Sequence, residues 1–295
     1  MLKPGTPESR RIGILLLSLA TLCFATLDAA AKWLVQSLPV VEVVWLRFSF
    51  HVLLMVLLLA PLHGRRLVRM QQPRWHLLRA GMLATMTGLN FWALQYLQLA
   101  ETGAIQFSVP LLIALLSAWW LHERLDARRW LAIVAGFVGV LLVVRPGGQG
   151  FHPAILLSVL NALLYALFNM LTRRMAATES PEAMQLVAAF GAALLLTPFA
   201  LMQFRMPADG KTWAMILVAG FFGGLGHQCV AMAHRYASAA VLGPFLYQQI
   251  LYMVAWGWLI FAQVPDAFVI AGALVVVCSG LYLLGMEMKK EAPSG

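Results

Sequence analysis

Apolar runs of about twenty residues follow one another along almost the whole chain, with only short polar breaks between them. A helix needs about 20 apolar residues to cross the hydrocarbon core of a bilayer. We therefore predict an all-α integral membrane protein with ten transmembrane helices. The expected spans are 12–33, 40–61, 76–97, 102–121, 128–145, 153–173, 182–203, 212–233, 238–262 and 267–286.

The composition excludes a soluble globular fold. Hydrophobic residues make up 61% of the 295 residues and charged residues 11%, whereas a soluble domain has about 25% charged residues. The 3 cysteines lie inside apolar runs without metal-ligand spacing, so we expect no disulfide framework and no metal site. Acids, histidines and nucleophiles do not gather at one membrane face, and we expect neither an enzyme nor a cofactor.

The basic residues indicate how the chain is oriented. Most of the 21 lysines and arginines lie at the N-terminus, the C-terminus and alternate connections between the spans. The positive-inside rule then predicts that both termini are cytoplasmic, in a bacterial-type inner membrane. This placement explains the net charge of +9 without a nucleic-acid partner, so the expected partners are the lipid bilayer and a small-molecule substrate.

The chain repeats itself at a spacing of about 140 residues. The tripeptide at 125–127 matches that at 265–267, Asp28 matches Asn169, and Asn90 matches Gln228. The halves are 1–148 and 149–295, and each holds five spans. Because five is odd, the second repeat enters the membrane in the opposite sense. Inverted repeats are common in secondary transporters, whose substrates bind near the midplane between the halves. One chain contains both halves, so a monomer is sufficient.

Polar side chains inside the spans require an explanation, because a charge at a helix centre costs about 2.5–3.5 kcal/mol on the insertion scale. The substrate-binding candidates are polar or aromatic side chains predicted near the midplane; they are Asn90, Trp92, Gln106, Tyr165, Asn169, Gln228, Tyr247 and Gln248. Interhelical hydrogen bonding is the alternative role for the amides. Charged or titratable residues of the first two spans are gate or coupling candidates: Asp28, Lys32, Arg47 and His51. The alternatives are a self-neutralising ion-pair network and, for His51, simple packing.

Two prolines are expected to kink spans four and nine. Pro110 and Pro244 cannot donate to the carbonyls four residues earlier, so the carbonyls of Gln106 and Ala240 are freed. Free backbone acceptors are tolerated in a membrane where they line a cavity or meet a protein partner.

Two segments carry a resemblance to a known family. The first is PLLIALLSAWWLHERLDARRWLAIVAGFVGVLLVVRP, from Pro110 to Pro146, and the second is GPFLYQQILYMVAWGWLIFAQVPDAFVIAGALVVVCSG, from Gly243 to Gly280. Both resemble the paired signature of the EamA-type carriers of the drug/metabolite transporter superfamily. Within that family the chain looks most like the YddG-type exporters of aromatic and neutral amino acids. It departs from the signature at Gln263, whose first-half counterpart is the acid Glu123.

The resemblance implies a secondary transporter that exports its cargo by alternating access. Uncharged amides at midplane depth suit neutral or zwitterionic metabolites, and the resemblance favours aromatic amino acids among them. The alternative cargoes are a cationic drug or another metabolite such as a nucleotide derivative. A cation pump would be expected to show an unpaired acid, whereas Asp28 has Lys32 four residues away, on the same helix face.

Overall fold

A computed structural model describes residues 7–64, 70–120, 126–145, 151–176, 178–237 and 239–291. Within these ranges the chain forms twelve α-helices. They are α1 (Pro7–Leu34), α2 (Val40–His63), α3 (Pro73–Leu94), α4 (Leu99–Gln106), α5 (Val109–Trp120), α6 (Ala127–Val144), α7 (Ile155–Met175), α8 (Pro181–Met202), α9 (Gly210–Tyr236), α10 (Ala239–Leu246), α11 (Gln249–Phe261) and α12 (Ala267–Glu291).

The helices make ten spans, because α4 with α5 and α10 with α11 each form one broken span. Among the described residues, eight segments are long and apolar enough to cross a membrane by themselves. Helix α3 and the broken pair α10–α11 pack among them and complete the set. The predicted ten-helix, all-α fold is confirmed, and the expected spans lie within a few residues of the helices.

The two breaks lie at equivalent places in the repeats. The first falls at Phe107 and Ser108 and the second at Tyr247 and Gln248, 140 positions later in the chain. The rings of Phe107 and Tyr247 contact each other, with centroids 5.2 Å apart. Repeat-equivalent residues touch where the pseudo-two-fold axis passes, so the breaks meet at the centre of the molecule.

The predicted prolines stand beside these breaks rather than in them. Pro110 follows the first break and lies in the opening turn of α5, where its missing N–H needs no intrahelical partner. Pro244 lies inside α10, ahead of the second break.

Equivalent helices of the two halves pack antiparallel. Between α6 and α12, a Cβ at Gly139 would meet Val276, whereas a Cβ at Gly272 would meet Val143. Residue numbers thus rise along one helix as they fall along the other. Both close approaches require glycine, since the added Cβ atoms would lie 2.8 and 2.5 Å from the facing glycine carbonyl oxygens. Antiparallel packing of equivalent helices is the geometry of an inverted repeat.

The two largest apolar clusters among the described residues lie on either side of α7. One is built mainly from α1, α2, α3, α8 and α9, and the other from α4, α6, α7 and α12. Tyr165 of α7 packs against both clusters and remains only half-buried. The space beside Tyr165 therefore lies between the two packed regions, where the polar side chains of the interior are found.

Ala262 allows a test of the left-handed backbone conformation at the end of α11. It ends α11 in the left-handed conformation, with φ of 53°, which costs a non-glycine residue about 1–2 kcal/mol. We expect Ala262→Gly to raise the free energy of unfolding by about 1 kcal/mol, measured by denaturant titration in mixed micelles.

The matched control is Ala176→Gly at the end of α7. Ala176 is exposed and right-handed, with φ of −60°, so glycine there should destabilise by up to about 1 kcal/mol. A loss of stability in both variants would contradict the left-handed conformation at Ala262.

Candidate functional site

A carboxylate and an amide meet in the interior of the bundle. Asn90 of α3 donates a hydrogen bond from its side-chain nitrogen to Asp28 of α1, at 3.0 Å. Leu27 and Ala29, on either side of Asp28 in sequence, are buried in the apolar core. Asp28 nevertheless keeps accessible surface, so it borders an interior space that a ligand or water can enter.

Half-buried aromatic side chains pack against the same core cluster. They include Phe24, Tyr165, Phe168, Tyr252 and Trp256. Phe24 lies four residues before Asp28 and shares its face of α1. The ring of Phe168 is covered by the guanidinium of Arg79, 4.6 Å from the ring centroid. The indole nitrogen of Trp256 donates to the hydroxyl of Thr26, at 3.2 Å, about 200° around α1 from Asp28. Phe24 is therefore the ring beside the polar pair that can stack on a planar ligand.

A second polar group lies between α2, α8 and α9. Arg47 and His51 are four residues apart on α2 and both are buried. Nε2 of His51 lies 3.2 Å from the amide nitrogen of Gln185, and its ring stacks on that of His227, with centroids 5.9 Å apart. His227 also meets the ring of Phe24 edge-on at 5.0 Å. His227 thus connects this polar group to the aromatic interior.

Lys32 does not pair with Asp28 as the sequence suggested. Its ammonium donates to the carbonyl oxygens of Leu94, at 2.9 Å, and Leu97, at 2.6 Å. These carbonyls lie at and just beyond the end of α3, where helical carbonyls have no partner within the helix. The buried lysine therefore closes a helix end, and the alternative of an ion pair between Lys32 and Asp28 does not hold.

The remaining amide candidates bond to other helices or to their own. Gln106 accepts from Asn161 at 3.0 Å, and Asn169 donates to the carbonyl of Tyr165 at 2.7 Å. Gln248 donates to Ser18 at 2.8 Å and lies 3.2 Å from Thr21. These bonds match the alternative of interhelical and local hydrogen bonding. The position of Gln248 ties the second helix break to α1.

The three remaining candidates are an outward-facing tryptophan, a buried tyrosine and a glutamine with an unpaired carbonyl oxygen. Trp92 is 50% exposed, and it lies about 200° around α3 from Asn90, so it faces outward and its placement in a cavity is corrected. Tyr247 is buried against Phe107 and Gly280, where a Cβ would overlap its hydroxyl. Gln228 has a buried carbonyl oxygen with no hydrogen-bond partner.

Sequence reasoning missed Thr26, Phe168 and Trp256. A signal did exist for the first helix, because Phe24 and Asp28 are four residues apart and share one face. Trp256 carries no such signal, since it stands in a run that is apolar on every side. In the described part of the chain, no three His, Cys, Asp or Glu side chains converge on a point that could hold a metal ion. Glu123 lies outside the described residues.

Comparison with known proteins decides the family. The model of the EamA-like transporter family matches residues 11–145 and again residues 152–286. The chain belongs to the EamA-like transporter family. The two matches correspond to the two five-span repeats, and the family identifies the chain as a multi-pass membrane transporter.

Several bacterial relatives match nearly the whole chain. A riboflavin transporter of Vibrio cholerae is 29% identical over 286 residues, covering 95% of each chain. An S-adenosylmethionine uptake transporter of Rickettsia felis is 26% identical, covering 94% of this chain and 93% of its own. A pseudopaline exporter of Pseudomonas aeruginosa is 29% identical, covering 92% and 95%.

A solved structure shares the fold. It aligns with a TM-score of 0.67 at 19% identity, over 95% of this chain and 99% of its own. The relatives named above carry riboflavin, S-adenosylmethionine or pseudopaline, and none is a YddG-type amino-acid exporter. The expected place among those exporters is therefore not supported, whereas the EamA family assignment stands.

Lys32 provides a test of the helix-end contact. Lys32→Met keeps much of the side-chain length and leaves two buried carbonyls without a donor. We expect the free energy of unfolding to fall by about 2 kcal/mol, measured in mixed micelles. The control Arg128→Met removes an exposed cation and should change it by less than about 0.5 kcal/mol. Equal, small changes would show that the Lys32 contacts contribute little.

Proposed function

We propose that this EamA-family protein carries a neutral or zwitterionic metabolite with a planar aromatic ring system, by alternating access between its two halves. Riboflavin is the first cargo to test. The observation that carries the proposal is the Asp28–Asn90 pair together with the ring of Phe24, which shares the Asp28 face of α1 and meets the ring of His227.

The shape and chemistry of this space suit such a molecule. The ring of Phe24 offers a stacking surface on the face of α1 that carries Asp28, and stacked aromatic pairs gain about 0.5–1.5 kcal/mol beyond simple burial. Asp28 and Asn90 supply an acceptor and an amide for the polar edge of the ring. A riboflavin transporter among the 29%-identical relatives supports this ring-plus-polar-edge cargo.

The charges in the interior disfavour a cationic drug. A permanent cation requires an acid free to meet it, whereas Asp28 accepts a bond from Asn90 and interacts electrostatically with Arg47. A carboxylate and a guanidinium in the same region balance each other. The interior is therefore suited to a ligand without net charge.

Aromatic amino acids, the cargo expected from the sequence, have the ring but no support from the relatives named above. They are best used as competitors in the transport assay. Export is also only one possible direction, because the relatives include uptake transporters as well as an exporter. We also propose that both termini are cytoplasmic and that a single chain is the functional unit.

Transport of labelled riboflavin into proteoliposomes tests the cargo. The wild-type protein should move it saturably, in both uptake and counterflow. Phe24→Ala should raise KM about tenfold, since one stacked ring is worth about 1 kcal/mol or more. Trp92→Ala, a tryptophan truncation on the outer face of α3, should leave KM within about twofold because lipid-facing apolar contacts are interchangeable.

Tyrosine, phenylalanine and tryptophan are added as competitors in the same assay. Absence of riboflavin movement in either direction would remove riboflavin as the cargo. Equal effects of Phe24→Ala and Trp92→Ala would contradict the placement of the site.

A further inference from the structure

Arg47 is buried with unused hydrogen-bonding capacity. Arg47 is 4% exposed, and its Nε and Nη1 atoms have no hydrogen-bond partner. Its guanidinium lies over the ring of Phe48, 4.3 Å from the centroid, which satisfies the charge in part but none of the N–H groups. A buried guanidinium without acceptors is costly and calls for a partner.

The structure makes room for this guanidinium on α9. Its Nη2 atom lies 3.2 Å from the place where a Cβ of Gly223 would stand. A larger residue at that position would press on Arg47, and neighbouring Gly220 lets Phe50 of α2 approach still more closely, 2.6 Å from where a Cβ would stand. The glycines hold α2 against α9 with the arginine between them, and so fix its position.

Asp28 is the natural counter-ion, yet the two do not form an ion pair. The ring of His227 bridges the two, since it meets Phe24, one turn before Asp28, and stacks on His51, one turn after Arg47. The carboxylate nevertheless receives its hydrogen bond from Asn90, and no Asp28–Arg47 contact at salt-bridge distance occurs among the described residues. Opposite charges in a low-dielectric interior attract strongly. Their separation leaves an acceptor on one side and free donors on the other.

We infer that Asp28 and Arg47 form one subsite that binds a substrate edge in which an N–H donor lies next to a carbonyl or carboxylate oxygen. The N–H group bonds to the carboxylate of Asp28, and the adjacent oxygen accepts from the guanidinium of Arg47. Such an edge satisfies both buried charges at once without adding net charge. This inference rests on the proposed function and adds the feature by which the carrier selects its cargo.

The accessible surface shows how a ligand reaches the subsite. Asp28 and His227 are both partly accessible, and His227 is close enough to Arg47 to interact electrostatically. A ring stacked on the aromatic side chains can therefore present its polar edge between α1 and α2. An imide, with an N–H between two carbonyls, and the head group of a zwitterionic amino acid both carry the required pattern.

The test compares two flavins that differ only at this edge. Binding of riboflavin and N3-methylriboflavin to the full-length protein in nanodiscs is followed by flavin fluorescence. Methylation removes the imide N–H and keeps the ring and the ribityl chain. We expect the methylated flavin to bind the wild-type protein at least tenfold more weakly than riboflavin.

The variants Arg47→Gln and Asp28→Asn should each abolish this preference. Both flavins should then bind with the weak affinity that N3-methylriboflavin shows for the wild-type protein, and this residual binding shows that the aromatic interior is intact. The control Arg74→Gln, at an exposed arginine, should keep the full preference. If each single variant loses the whole preference for riboflavin, the two losses are non-additive, which is the signature of a contact that Asp28 and Arg47 share.

The other outcomes test different claims. If the two flavins bind the wild-type protein equally, the subsite is overturned while the riboflavin cargo stands.

If neither flavin binds, riboflavin is rejected as the cargo. Binding of S-adenosylmethionine is then compared with binding of 5′-methylthioadenosine, which lacks the amino-acid head group. Binding of the first alone, lost in Arg47→Gln, supports the subsite; equal binding, or binding of neither, overturns it.

Discussion

A polar group within the hydrocarbon core of a membrane has to find its partner inside the protein, and this requirement shapes the whole bundle. Lys32 meets the carbonyls at the end of α3, and Gln248 binds the hydroxyl of Ser18 on α1. Each of these contacts joins helices that apolar packing alone would leave free to slide, since lipid tails are as apolar as leucine. Arg47 keeps two nitrogen atoms without a partner, and Asp28 borders the interior space.

The inverted repeat explains why that space exists at the centre. Antiparallel pairing of α6 with α12 is tight because Gly139 and Gly272 let the backbones approach. The broken spans meet through Phe107 and Tyr247, so irregular backbone lies within protein rather than against lipid, as the membrane demands. Apolar packing is thus strongest where the equivalent helices pair, and the polar and aromatic interior lies between the paired helices.

The sequence predicted the spans and their repeat well, because both depend on hydropathy averaged over many residues. It predicted individual contacts poorly. Four-residue spacing placed Asp28 and Lys32 on one face, yet the lysine side chain is long enough to reach the end of α3 instead. Trp92 stands near Asn90 and Gln95 in the sequence and Trp256 in an apolar run, yet the packing shows that Trp92 faces outward and Trp256 inward. The cargo depends on such contacts, which hydropathy does not encode.

The central claim is that the aromatic interior beside Asp28 is a water-accessible cavity that the cargo occupies. The most direct measurement places a single cysteine at position 227, as His227→Cys in a cysteine-free background, and follows its reaction with a charged, membrane-impermeant thiol reagent. Water access to the cavity predicts labelling, and riboflavin should slow it at least tenfold. Trp92→Cys, facing lipid, should stay unlabelled with or without riboflavin. Labelling at position 92 but not at 227 would contradict the account.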